Sequence, residues 1–282
     1  MRKGNFIILS IVILLLYTLI TIYLTSHVGD KDYEEYMKSE YFKQIENTQG
    51  SSEISLYDQI PKVFHFIWVS SSLDKTRQSN LDVKILSNIQ TCLDKHPDWS
   101  YKIWTDDMVR REYPVVSEQL LQFGKPAIIS EILRFNILAS YGGIYMDTDF
   151  ICFRSFAPFL KQQYCTAFAC SEEADEDNEY DKLVSLGVIG AVPGHMILER
   201  AATHIITAAR GPESPNERTG SHFFMKMIKK YNTQNDCLYV YSKKGFYDCG
   251  YQERTRCGAR FHSYKNNSDI YAMHLWEEFI ET

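Results

Sequence analysis

The stretch "YGGIYMDTDF", Tyr141 to Phe150, sets two carboxylates, Asp147 and Asp149, directly after a glycine pair and a short apolar run. A solvated turn at a strand edge is one reading. A site for a divalent cation and a phosphorylated ligand is the other. Carboxylate oxygens suit hard cations such as Mg²⁺ or Mn²⁺, which complete their shells with phosphate oxygens and water. Asp-x-Asp alone decides nothing, because the chain holds it three times: Asp30/Asp32, Asp147/Asp149 and Asp175/Asp177. Only the middle copy follows an apolar segment, and in a strand-like segment residues i and i+2 share a face.

Upstream, "GKPAIISEILRFNILASYGG" reads as a helix, with Pro126 near its start and Gly142 past its end. Its expected core face is Ile128, Ile132, Phe135 and Leu138. Earlier still, residues 62–69 read as a buried strand, 81–95 as a helix with a stripe of Leu86, Ile89 and Leu93, and 101–104 as a second strand. Residues 143–146 make a further strand. Strand, helix, strand, helix, strand is the pattern of an open α/β sheet, in which ligands bind outside the carboxyl ends of the strands. Further strands are expected at 164–169 and 188–192, with a helix at 195–209 after them.

The N-terminus carries 19 uncharged residues, 6–24, about 28 Å as a helix and enough to span a bilayer. Arg2 and Lys3 precede them and Asp30, Glu34 and Glu35 follow, so the positive-inside tendency sends the remainder across the membrane. The expected organisation is a cytosolic tail 1–5, a transmembrane signal anchor 6–24, a polar stem 25–54 and a lumenal domain 55–282. A cleaved signal peptide is the alternative. Seven cysteines suit an oxidising compartment, with Cys165/Cys170 and Cys249/Cys257 as candidate local bridges and one thiol left over. Asn266-Asn267-Ser268 is a glycosylation sequon under that topology. The formal charge of −6 gives no basic face for nucleic acid. The acidic run 171–181 reads as a solvated loop, placed as a flap near the site.

"SEILRFNILASYGGIYMDTDFICFRSF", residues 130–156, resembles the core signature of the DXD-containing sugar transferases, glycosyltransferase family 32. "IPKVFHFIW", "HPDWSYKIWTDD" and "YAMHLWEE" resemble three further segments of that family, in order. The family includes yeast initiating and inositol-phosphoceramide mannosyltransferases and relatives of animal α1,4-galactosyl- and α1,4-N-acetylglucosaminyltransferases. The resemblance implies a GT-A (Rossmann-like, nucleotide-sugar-binding) fold in the Golgi lumen, Mn²⁺ or Mg²⁺ as cofactor, and a GDP- or UDP-hexose donor. It also implies retaining transfer of a hexose to a glycan or glycolipid acceptor.

By position, Asp147 and Asp149 match the metal and diphosphate carboxylates. Glu131 and Arg134 match an acidic residue and an arginine that contact the donor, the acidic one usually Asp. Trp68 matches the residue lining the base, and His274 and Trp276 match the C-terminal element that closes over the diphosphate and metal. Trp68 and Trp276 are equally readable as core aromatics. His65 reads as a hydrogen-bonded core histidine, and Glu131/Arg134 as a plain intrahelical pair if no donor is bound. The chain departs from the family at Leu186 and Gly187, where Asn is usual, and at Met196 and Ser221, where Pro is frequent. A non-catalytic nucleotide-sugar-binding relative is the second reading. A phosphohydrolase of the haloacid-dehalogenase type, with Asp147 as nucleophile, is a remote third.

Overall fold

The computed structural model describes residues 59–73, 82–160, 165–172, 183–233 and 237–276. They belong to one compact unit, residues 52–282. The expected tail, anchor and stem lie outside the described residues, as does most of the acidic run. Among the described residues no helix is long and apolar enough to cross a membrane.

The first strand, β1 (Val63–Ile67), is an aromatic run with Phe64 and Phe66 fully buried, as expected where a strand is covered on both faces. Helix α1 (Val83–Lys95) follows, its N-cap Asp82 accepting from the Lys84 amide at 2.8 Å. The buried face of α1 is Ile85, Asn88, Ile89 and Cys92, and Leu86 is exposed. That differs from the expected stripe of Leu86, Ile89 and Leu93. Both sets have helical spacing; the disulfide from Cys92 to Cys152 holds the Cys92 face inward. Strand β2 (Ser100–Trp104) then pairs parallel with β1.

Short helices α2 (Asp106–Glu112) and α3 (Pro114–Leu120) lead to α4 (Pro126–Tyr141). Every residue of α4 from 132 to 140 is buried, while Ile128, placed in the expected core face, is half-buried. A helix apolar all round is covered on more than one side. Here the second cover is α5 (Met196–Ala209), which packs against α4. Gly142 ends α4 at φ +60°, and Gly143 follows at φ +87°. A side chain at Gly142 would meet Pro193 Cδ at 2.6 Å, and one at Gly143 would meet Val63 Cγ1 at 2.5 Å. Both left-handed backbone and close packing therefore demand glycine at this turn.

Strand β3 (Gly143–Met146) pairs parallel with β1, and β4 (Phe150–Cys152), β5 (Ala167–Ser171), β6 (Val184–Ala191) and β7 (Leu238–Tyr241) follow in the chain. The main sheet runs β2-β1-β3-β6-β5-β7. It is mixed: β6 is antiparallel to both β3 and β5, and β7 is parallel to β5. The alternating pattern thus holds for β2, β1 and β3 and stops there. The expected strands at 164–169 and 188–192 fall at 167–171 and 184–191, because a ladder partner, more than local propensity, sets a strand's length. Between α5 and β7 lie α6 (Pro215–Arg218) and α7 (Ser221–Tyr231). A small second sheet pairs β4 with β8 (Ala272–His274), setting Phe150 opposite His274.

Three disulfides are present: Cys92–Cys152, Cys165–Cys237 and Cys249–Cys257. The last is one of the expected local pairs. The other expectation, Cys165 with Cys170, is wrong. Cys170 lies inside β5 as a buried free thiol, and Cys165 reaches Cys237, just ahead of β7. Parallel pairing of β5 and β7 brings the two strand starts side by side, a proximity that sequence spacing does not reveal.

Candidate active site

In the sheet, β1 sits between β2 and β3, so successive crossovers leave β1 in opposite directions. Such a topological switch point opens a crevice at the carboxyl ends of the strands. Trp68 follows β1 at that end and Asp147 follows β3. The Trp68 amide donates to Trp104 O at 2.9 Å, extending the ladder by one step, and its side chain packs half-buried against the core.

Asp147-Thr148-Asp149 lies in the turn between β3 and β4, not in a strand. The expected i, i+2 strand geometry is therefore not what aligns the two carboxylates. Asp147 is fixed by its amide donating to Gly187 O at 2.9 Å, and Asp149 by its carbonyl accepting from the Leu275 amide at 2.9 Å. The second contact belongs to the β4–β8 pairing, which carries His274 in from 125 residues away. His274 Nε2 lies 3.0 Å from Asp149 Oδ1, and both side chains are about nine-tenths buried. The donor atoms of Asp147, Asp149 and His274 all fall within 4.8 Å of one another.

Arg134, on the buried part of α4, reaches the same place. Its Nη1 donates to Leu186 O at 2.7 Å, its Nε to Ser130 O at 3.3 Å, and its Nη2 stands 3.6 Å from Asp147 Oδ1. The guanidinium also stacks on Tyr145, 4.5 Å from the ring centre, and the Tyr145 hydroxyl donates to Asp147 Oδ1 at 2.5 Å. Leu186 contributes its main-chain carbonyl, which any residue there would supply. Burial pushes the Glu131 carboxyl above its ordinary range, and Arg134 and a Thr219 hydrogen bond pull it back. Burial likewise raises the Tyr145 phenol, so it stays protonated.

Trp276 packs tilted against His274 with ring centres 4.0 Å apart, and its indole N–H donates to Cys249 O at 2.8 Å. Trp276 also has φ +58°, strained for a bulky residue and held by the hydrogen bond and the contact with His274. His65 is an interior group: Trp104 Nε1 donates to its Nδ1 at 3.1 Å, which leaves Nε2–H to donate to Gly142 O at 3.0 Å. Burial lowers its pKa to about 4.

The structure thus joins Asp147, Asp149, Arg134 and His274, with Glu131 beside Arg134 and Trp276 on His274. The donor set fits a hard divalent cation: two carboxylates and an imidazole, with His274 Nδ1 buried and without a hydrogen-bond partner. Two residues were missed from the sequence. Tyr145 was visible in principle, two positions before Asp147 in the sequence. Tyr247, 98 residues after Asp149, carried no local signal. Its hydroxyl is buried and unpartnered at the site.

Residues 82–166 match the family described as the glycosyltransferase sugar-binding region containing the DXD motif. That match takes in the Asp147-Thr148-Asp149 turn. Over 106 residues it is 32% identical to a mannosyl phosphorylinositol ceramide synthase of Saccharomyces cerevisiae, covering 36% of this chain and 26% of that protein. It is 22% identical over 196 residues to an uncharacterized glycosyltransferase of Acanthamoeba polyphaga mimivirus, covering 65% and 72%. The matched stretches span between 25 and 27% of the length of three such yeast ceramide-pathway relatives. Among solved structures, the PaToxG glycosyltransferase is similar at 16% identity and a TM-score of 0.48, covering 75% of this chain and 80% of that one. Within the matched residues the Asp-x-Asp pair is Asp147 and Asp149.

Proposed function

We propose that the protein is a metal-dependent, retaining glycosyltransferase of GT-A fold. It moves a hexose (mannose, galactose, glucose or N-acetylglucosamine) from a GDP- or UDP-sugar to a hydroxyl of a glycan or glycolipid. Its place is the Golgi lumen, anchored by residues 6–24 as a type II protein. The observation that carries this reading is the convergence of Asp147, Asp149 and His274 with Arg134 at the sheet's switch point.

Mn²⁺ or Mg²⁺, when bound, supplies positive charge opposite the departing diphosphate. Asp149 and His274 offer it an oxygen and a nitrogen from buried positions. The Asp147 carboxylate is aimed by the Tyr145 hydroxyl and by Arg134. Arg134 is itself clamped by two main-chain carbonyls, so its charge needs no reorganisation as negative charge develops on the leaving group. The bond from the anomeric carbon to the diphosphate oxygen breaks while the acceptor oxygen attacks on the same face. The acceptor's proton passes to the diphosphate, and the configuration is retained.

The test is incubation of the full-length protein with GDP-mannose and the common UDP-sugars, in Mn²⁺ or in EDTA. One donor hydrolysed slowly with Mn²⁺ and not with EDTA is the expected result. Nucleotide binding without turnover would favour the non-catalytic reading, and an inverted transfer product would overturn retention.

A further inference from the structure

Helix α1 buries Ile85, Asn88, Ile89 and Cys92, so its inward face carries one amide among apolar groups. Burying an amide is unfavourable unless it is hydrogen-bonded. Asn88 Nδ2 donates to Thr148 O at 3.3 Å, and Thr148 is the residue between Asp147 and Asp149. All three residues of the turn are thereby held. The Asp147 amide donates to Gly187 O in β6, and the Leu275 amide, just past β8, donates to Asp149 O. Those two are main-chain bonds, open to almost any sequence. The middle one depends on a side chain, 60 residues away.

The same helix secures the strand that follows the turn. Cys152 N donates to Thr91 Oγ1 at 2.9 Å, Thr91 Oγ1 donates to Asn88 O at 2.6 Å, and Cys92 is bonded to Cys152. β4 is thus fastened to α1 as well as to β8. These bonds hold the far end of β4, and Asn88, one helical turn before Cys92, reaches the turn that carries the carboxylates.

We propose that Asn88 is a positioning residue for the cation site, keeping Asp147 and Asp149 aimed at one ion through the Thr148 carbonyl. That carbonyl belongs to the planar peptide unit joining Thr148 to Asp149, so Asn88 fixes the plane of the unit. Rotating it would turn the Asp149 side chain, whose Oδ1 lies 3.0 Å from His274 Nε2. Freedom left in the turn must be given up when an ion binds, so a turn held beforehand binds it more tightly. The proposal rests on the cation-site reading given above.

Asn88→Leu removes the donor and keeps a side chain of similar size. Ile89→Ala, on the same buried face, is the packing control. In the full-length protein, electron paramagnetic resonance reads Mn²⁺ affinity in the presence of UDP or GDP. Hydrolysis of the accepted sugar nucleotide gives kcat at limiting and saturating Mn²⁺, and calorimetry gives the thermal midpoint. The midpoint should fall in both variants, but Asn88→Leu alone should weaken Mn²⁺ binding, by about tenfold. Saturating Mn²⁺ should then restore most of its lost kcat. Should Asn88→Leu not fold, Asn88→Ala gives the same reading, with room for water at the Thr148 carbonyl. Unchanged Mn²⁺ affinity in the variant that folds would overturn the proposal and leave Asn88 a structural amide. An equal loss in Ile89→Ala would overturn it too, because packing alone would then set the affinity. A wild type that binds no Mn²⁺ removes the cation reading itself, and this proposal with it.

Discussion

Two buried histidines stand on strands of this domain and have opposite surroundings. His65, in β1, uses both ring nitrogens: Trp104 donates to one, and the other donates to Gly142 O. His274, in β8, reaches Asp149 with one nitrogen and leaves the other without a partner, and the unpaired Tyr247 hydroxyl lies beside it. Buried polar groups are nearly always satisfied, so two unpartnered ones side by side, His274 Nδ1 and Tyr247 Oη, mark this place for a ligand test. His65 pins β1, β2 and the end of α4 together. His274 keeps one ring nitrogen without a hydrogen-bond partner, as the proposed cation site would use.

The contrast breaks most sharply at Arg134. Arg134→Ala strips Asp147 of its cation and leaves the Leu186 carbonyl unpaired, with an expected stability loss of about 3 kcal/mol and donor turnover lost by about a thousandfold. Chemical denaturation and donor hydrolysis measure the two. Next, His65→Ala and His274→Ala should separate the histidines. The first orphans Trp104 Nε1 and Gly142 O and costs about 3 kcal/mol in denaturation. The second also truncates a packed ring and so costs stability, but it alone should weaken Mn²⁺ binding at least about tenfold. Equal effects of the two variants on Mn²⁺ binding would erase the distinction.

Protonation sharpens the same contrast. His65 titrates near 6.5 unfolded and at about 4 folded, so stability is complete above 6.5 and is lost as pH falls through this window. A 2.5-unit shift is worth about 3 kcal/mol. His96, also lowered by burial, adds to the same acid limb. Denaturant midpoints measured across pH 4–7 should show that limb, flattened in His65→Gln. The smallest effect belongs to Glu131. Its raised pKa means that stability falls as pH rises from its ordinary value toward the folded one, the opposite sign, and Glu131→Gln should remove that slope.

The chain's local patterns reached as far as β3. Pro126, the Gly142-Gly143 turn and the apolar run after it located α4, β3 and Asp147, because helix caps and glycine turns are local constraints. What failed depended on distant partners. The mixed half of the sheet needs β6 to return antiparallel. Cys165 needed β7 to be beside β5, and α1 turned its Cys92 face inward through a disulfide spanning 60 residues. His274 was located only through the family resemblance, since nothing between it and Asp149 hints that β4 and β8 pair. The Asp147 and Asp149 carboxylates do lie close together, but through a turn and two backbone hydrogen bonds and not through strand alternation. Tyr247 had no signal at all.

In the proposed function Asp147, Asp149 and His274 form one cation site. Electron paramagnetic resonance of Mn²⁺ with the full-length protein and a nucleoside diphosphate tests it most directly, comparing wild type with Asp149→Asn and His274→Ala. The account predicts a bound-Mn²⁺ signal in wild type whose affinity drops at least about tenfold in each variant. Undiminished Mn²⁺ binding in both variants would contradict it.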